Sequence, residues 1–251
     1  MLPPDQIILL ALVLARVAPL VMLVPVFGAC CAPWHVRALL AVALSILIAP
    51  LQGNAGVGPC NDTPTLVLAL ATEVLTGISL GLAVLLIFQA AELAGRMIGG
   101  SSGLVISQGG GSALLGPAPV PAQLLSLIAL AVFVTMGGHR LVITALLDSF
   151  QSLPPGAGWR AAELTNTTRQ LLAASFQLGV RTAAPVILAV LVANVAVGIL
   201  SRSVPQLNSL VIGFGLNLFV VLAALGFALA GLAYLFANHV KTFLQIWQQL
   251  L

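Results

Sequence analysis

Six apolar runs take up most of this chain: Gln6 to Phe27, Val36 to Leu51, Thr65 to Ile98, Ala122 to Leu147, Leu171 to Leu200 and Leu207 to Ala237. A helix of about 20 apolar residues covers the hydrocarbon core of a bilayer, and several of these runs are longer than that. A water-soluble core of this size would need a polar shell. Only 6% of the 251 residues are charged, against about a quarter in an ordinary soluble domain. Lipid or other apolar protein must therefore cover most of the outside. The expected class is an all-α, integral membrane-class helical protein, read as a single domain over residues 1–251.

Two runs are imperfect spans. The second is short and closed by Pro50, and the fourth is interrupted by Gly137, Gly138, His139 and Arg140. Both are expected to be helices buried in protein. The connections GACCAPWHVR, QGNAGVGPCNDTP and SLPPGAGWRAAELTNTT carry the Gly, Pro and Asn residues that end helices. If all six runs cross, Arg37, Arg96 and Arg202 fall on one side and Arg160, Arg169 and Lys241 on the other, so basic residues do not orient the chain. The net charge of +3 is small and scattered, which points away from nucleic acid. Cys30, Cys31 and Cys60 are odd in number and lack ligand spacing, so they read as packing residues, and neither metal nor cofactor is expected. Asp5 is the only charge before Arg16, which leaves no basic region for a cleaved signal peptide.

The few polar residues inside the runs need partners. Arg16 interrupts ILLALVLARVAPLVMLVPVF near its middle, where a charge costs about 3 kcal/mol or more unless paired or wet, so it should face protein. Pro19 and Pro25 follow, each removing a backbone donor, and Arg181 before Pro185 repeats the pattern of charge then kink. Such helices suit a packed assembly in which partners satisfy the freed backbone groups. Glu73 and Glu92, about 28 Å apart along a helix, read as the two ends of one span. Glu92 and Arg96 stand at i and i+4 in the favourable order for an ion pair. Asn194, Asn208 and Asn217 should bond helix to helix, with Gly213 and Gly215 allowing close approach.

The segment GGSSGLVISQGGGSALLGPAPVPAQ, Gly99 to Gln123, holds seven glycines and three prolines and no charge. Its Gly100-Ser101-Ser102-Gly103 fits the G-x-S-G pattern of rhomboid intramembrane serine proteases, with His139 the candidate base for Ser102. The rest of that pattern is missing, since the Trp159-Arg160 pair follows the serine instead of preceding it. A small-molecule or ion transporter would call for paired acidic residues at midspan, which Glu73 and Glu92 do not supply.

Several further patterns occur in one order along the chain. Ala15-Arg16 is followed by PVFG at Pro25 to Gly28, Pro33, Arg37 and ALLAVALSILIAP ending at Pro50. Then come Glu73, Gly77, Gly81, FQAAELAG at Phe88 to Gly95, Gly138-His139, SFQSLPPG at Ser149 to Gly156, Pro185, Asn194 and Gly198. The most specific is SRSVPQLNSLVIGF, with Arg202, Pro205, Gln206, Leu207, Asn208, Gly213 and Phe214. Together these resemble the flagellar biosynthetic FliR family, whose injectisome counterpart is the SctT or SpaR-type export-apparatus protein. The resemblance implies a non-enzymatic subunit that joins FliP-like and FliQ-like subunits in a helical type III export gate, alongside FlhB-like and FlhA-like export proteins. Unfolded substrate proteins would pass through this gate. The place implied is the bacterial inner membrane, at a flagellar basal body or injectisome base, with kinked helices packed against sister subunits and raised largely out of lipid.

The resemblance assigns subunit and helix packing to Arg16, Pro25, Phe27, Gly28, Glu92, Arg96, Arg202, Pro205, Gln206, Asn208, Gly213 and Phe214. It also likens the segment 99–123 to a plug that closes the pore, built from Leu104, Val105, Ile106, Gly109, Gly110, Gly111, Leu114 and Leu115. The physical sense is clear. Glycines rearrange at little steric cost, apolar side chains fill a dry constriction, and the absence of charge avoids a hydrated leak.

Overall fold

Helix ends in this chain follow its breaker residues. The computed structural model describes residues 4–27, 33–52, 63–103, 118–156, 161–203, 213 and 215–226. Helix α1 (Pro4–Leu23) and α2 (Trp34–Ile48) each run into a single 3-10 turn, Pro25–Phe27 and Ala49–Gln52. Next come α3 (Thr63–Ser102), α4 (Val120–Thr135), α5 (Gly138–Ser152), α6 (Ala161–Ser203) and the short α7 (Gly215–Gly226). Among the described residues there is no β-strand. Among the described residues four helices are long and apolar enough to cross a membrane, α1, α2 with its 3-10 extension, α3 and α6, and α4 with α5 make a fifth if taken as one broken span. The chain is therefore all-α and of the membrane class.

Several boundaries differ from the sequence reading. At 40 residues, α3 is about 60 Å long, so Glu73 and Glu92 are interior positions and do not mark helix ends. It continues through Gly99–Ser102, where the Ser101 and Ser102 hydroxyls donate back to the Ile98 carbonyl. It stops where Gly103 turns left-handed at φ 71°. Helix α4 begins at Val120, so the segment between the two helices is shorter than 99–123 at both ends. Helix α6 starts at Ala161, ten residues before Leu171, because AAELTNTTRQ contains enough good helix formers to extend the apolar run. Helix α2 buries only Ala41, Ser45 and Ile48 and leaves Leu39, Ile46 and Leu47 exposed, so within its own chain it is not the buried helix expected. The predicted interruption of the fourth run is a turn at Met136–Gly137, where Gly137 takes φ 72° and its carbonyl accepts from the N–H groups of Arg140 and Leu141.

Two compact units share the chain, the first drawn from Met1–Leu86 and Met136–Leu172, the second from Ile87–Thr135 and Ala173–His239. In the first, α1 and α3 touch backbone to backbone. A Cβ on Gly77 would overlap the Arg16 carbonyl, and one on Gly81 would lie 2.8 Å from the Leu23 Cβ. Leu12, Val13, Val17 and Leu20 pack beside this contact with no exposure above 1%. The second unit repeats the device at Gly95, where a Cβ would overlap the backbone of Ala122 on α4. The Phe88 and Phe133 rings meet at a tilt between the same pair of helices, with centroids 5.3 Å apart.

Gly77→Val is expected to force α1 and α3 apart and destabilise the protein by about 3 kcal/mol, read from denaturant unfolding in detergent. Gly100→Ala, where a Cβ meets nothing within 4 Å, should be close to neutral. Equal effects at the two positions would refute the close-packed contact.

Candidate functional site

Arg16 and Glu73 meet in the interior of the first unit. Three sequence features bring them together. Arg16 sits on α1 opposite Gly77, Glu73 lies one helical turn before Gly77 on α3, and the glycine lets the two backbones close to contact. The arginine Nε donates to Glu73 Oε2 at 2.5 Å and its NH2 group to Oε1 at 3.0 Å, a two-pronged pair with exposures of 0% and 1%.

The SFQSLPPG segment closes around that pair. Arg16 NH1 donates to the Ser149 carbonyl at 2.9 Å and to Ser149 Oγ at 3.3 Å, and NH2 also donates to the Leu153 carbonyl at 3.0 Å. Gly156 N–H donates to Glu73 Oε1 at 3.0 Å, while the guanidinium carbon lies 4.2 Å from the centre of the Phe150 ring. A guanidinium has five N–H donors, and here the five bonds to Glu73, Ser149 and Leu153 use them all. The proline pair explains the local shape. Leu153 precedes Pro154 and is held out of the helical region, at φ −125° and ψ 88°, which ends α5 and turns its carbonyl to the arginine. Gly156, at φ 86°, then presents its N–H to the glutamate.

This pairing was not foreseen from the sequence. Arg16 and Glu73 are 57 positions apart, so no local spacing connects them. The available signal was stoichiometric: one arginine stranded in the first apolar run and two glutamates in the third, of which Glu92 has Arg96 four residues on, leaving Glu73 with a glycine one turn away.

In the second unit, Glu92 and Arg96 form the i,i+4 pair on α3, with Arg96 NH2 donating to Glu92 Oε1 at 2.7 Å. Near the end of the same helix, Asn217 Nδ2 of α7 donates to the Ser102 carbonyl at 3.2 Å. The Ser102 hydroxyl donates to the Ile98 carbonyl at 2.8 Å and is buried, whereas His139 belongs to the first unit and is exposed. Pro25 and Phe27 are half-buried in the turn after α1. Gly213 is half-buried, with Val197 3.8 Å from where its Cβ would lie. Arg202 lies in the last turn of α6. Outside the described residues lie Gly28, Leu104, Val105, Ile106, Gly109, Gly110, Gly111, Leu114, Leu115, Pro205, Gln206, Asn208 and Phe214, together with Cys30, Cys31 and Cys60.

An open groove of about 510 Å³ runs along α1 from Ala11 to Met22 beside Val74 and is lined only by apolar residues. Among the described residues no three His, Cys, Asp or Glu side chains gather where they could hold a metal. The described polar groups that join one element to another are those around Arg16 and Glu73 and the Asn217 amide on Ser102.

The sequence profile of the bacterial export proteins, family 1, matches residues 7–243. This chain belongs to that family. It is 30% identical over 243 residues to the flagellar biosynthetic protein FliR of Caulobacter vibrioides, covering 96% of both chains. It is 33% identical over 230 residues to FliR of Escherichia coli, covering 90% of this chain and 85% of the other. It is also 28% identical over 157 residues to the secretion system apparatus protein SsaT of Salmonella typhimurium, covering 61% of this chain and 60% of the other. The relatives are thus flagellar and secretion-system export proteins, which makes this chain a component of a type III export apparatus, consistent with a membrane location. No catalytic activity is indicated by these relatives.

Glu73→Ala should leave the Arg16 charge buried and unpaired and destabilise the protein by about 3–5 kcal/mol. The double variant Arg16→Met with Glu73→Leu should lose clearly less than the sum of the single changes, measured by denaturant unfolding in detergent. Additive losses would mean that the pair is not coupled.

Proposed function

We propose that this chain is a non-enzymatic subunit of the type III protein export gate and forms, with FliP-like and FliQ-like subunits, the channel for unfolded export substrates in the bacterial inner membrane. FlhB-like and FlhA-like export proteins are its further neighbours in this reading. The observation that supports it most is the commitment of polar groups. The Arg16 guanidinium spends all five donors inside the chain, and Glu92 with Arg96 neutralise one another on α3. Apolar surfaces on α2 and α6 are left to meet other membrane-embedded helices.

The segment between α3 and α4 is the pore plug in this proposal. Its residues 104–115 are free of charge and rich in glycine, leucine and valine or isoleucine, a composition that can fill a dry constriction and still give way to a passing chain. The Asn217 amide on the Ser102 carbonyl fixes the α3 end from which that segment departs. The intramembrane protease reading finds little support, because the Ser102 hydroxyl is engaged by its own helix.

Native mass spectrometry of the tagged protein from its own cells should find it in a large complex with two other small membrane proteins, and recovery of the chain alone would count against the gate reading. Deleting Leu104 to Leu115 should make membranes that contain the assembled gate leaky to small ions. Unchanged conductance would remove the plug assignment.

A further inference from the structure

Of the arginine side chains described in the second unit, one is left without a counter-charge. That unit contains a single acidic residue, Glu92, against three arginines, Arg96, Arg181 and Arg202. Glu92 is engaged by Arg96 through both Nε and NH2. Arg181 is exposed on α6, and among the described residues no hydrogen bond or ion pair reaches its guanidinium. The one acid on its own helix, Glu163, is 18 residues earlier, about 27 Å along the axis.

The surroundings of Arg181 do not suit a solvated charge. It lies within the span-length stretch Thr168–Ile199, only 28% of whose most apolar window is buried. Its exposed neighbours one turn away are Gln177, Ala184 and Pro185, none of them charged, and further along the same side Leu188 and Leu191 are 65% and 57% exposed. Along the axis Arg181 is about 20 Å from Thr168 and about 27 Å from Ile199, further than its side chain spans. Pro185 adds a second demand. Lacking an N–H, it deprives the Arg181 carbonyl of the helical donor four residues on, so a cation and an acceptor stand together on one helix surface. Hydrocarbon answers neither.

We infer that Arg181 is a docking cation, and that the face of α6 from Gln177 to Leu191 receives a helix of another membrane-embedded chain carrying a carboxylate at its level. Charge complementarity carries the choice of occupant. The planar guanidinium fork matches a carboxylate in two-pronged geometry, and the second unit offers none of its own beyond Glu92. Leucines and small residues on either side provide the apolar contact such a helix needs. Arg16 and Arg181 thus do different work, one holding the chain to itself and the other to a neighbour. The inference rests on the gate-subunit reading, which would make that neighbour a FliP-like or FliQ-like subunit.

The test co-expresses the tagged chain with the FliP-like and FliQ-like proteins of the same genome and compares wild type with Arg181→Lys, Arg181→Gln and Arg181→Glu. Native mass spectrometry in mild detergent reads the ratio of complex to free chain. Arg181→Glu should lower that ratio on the order of tenfold or more by placing like charges together, Arg181→Gln less, and Arg181→Lys least. A lysine replacing the partner's carboxylate should rescue Arg181→Glu. A photo-crosslinker at Leu188 checks the same face without changing the charge and should capture a partner subunit. If Arg181→Glu assembles like wild type, or the crosslinker captures only lipid, the docking assignment is overturned while the gate reading stands. If wild type brings down no gate subunit, both fall.

Discussion

A guanidinium cannot be left bare inside an apolar helix bundle, and the first unit of this protein is arranged around that constraint. Arg16 lies in the middle of α1 with no exposure to solvent. Its charge is answered by Glu73, and its remaining donors by the end of α5 and the turn that follows it. Burying two charges is not in itself a source of stability, since their desolvation offsets much of the attraction. What the pair provides is specificity. Three separate parts of the chain must arrive in one register for every donor to find its acceptor, and any other register strands a charge.

Seen this way, scattered sequence motifs become parts of one structure. Glu73, Gly77 and Gly81 form a stripe at four-residue spacing in which the first residue supplies the charge and the other two supply the clearance. Ser149, Phe150, Leu153 and Gly156 of SFQSLPPG each contribute one kind of contact: carbonyl and hydroxyl, aromatic face, carbonyl, and N–H. The prolines between them work through backbone geometry, ending the helix at the Leu153 carbonyl before them and leading to the Gly156 N–H after them. The second unit uses the same approach of small residues at Gly95 and Ala122, but its ion pair is local to one helix and ties nothing distant together.

This division of polar groups fits a subunit whose work is assembly. Charges inside α1 and α3 are neutralised within the chain, which leaves long apolar faces on α2 and α6 for neighbours or lipid. The unmet cation on α6 is then informative, because the buried Arg16 and the half-buried Arg96 each have a carboxylate partner. In an export-apparatus component, a site need not be a cavity with reactive groups. It can be a surface whose one unmet charge selects what lies against it.

The amino-acid sequence by itself determined the class, the approximate helices and the family, because apolar run length, helix breakers and ordered motifs are local properties of the chain. It also showed that Arg16 must be covered, since the cost of a charge in hydrocarbon depends only on where the run places it. Helix limits were less legible. Helix α3 runs through Ser102, beyond where glycine suggested an end, and AAELTNTTRQ extended α6 because its helix formers continue a neighbouring run. Only the tertiary structure decided that Glu73 is the partner of Arg16 and that the SFQSLPPG turn completes the site. The physical reason is that residues 57 and 133 positions apart meet through a backbone contact at Gly77 and a proline-directed turn, and no local spacing names which distant segment each will meet.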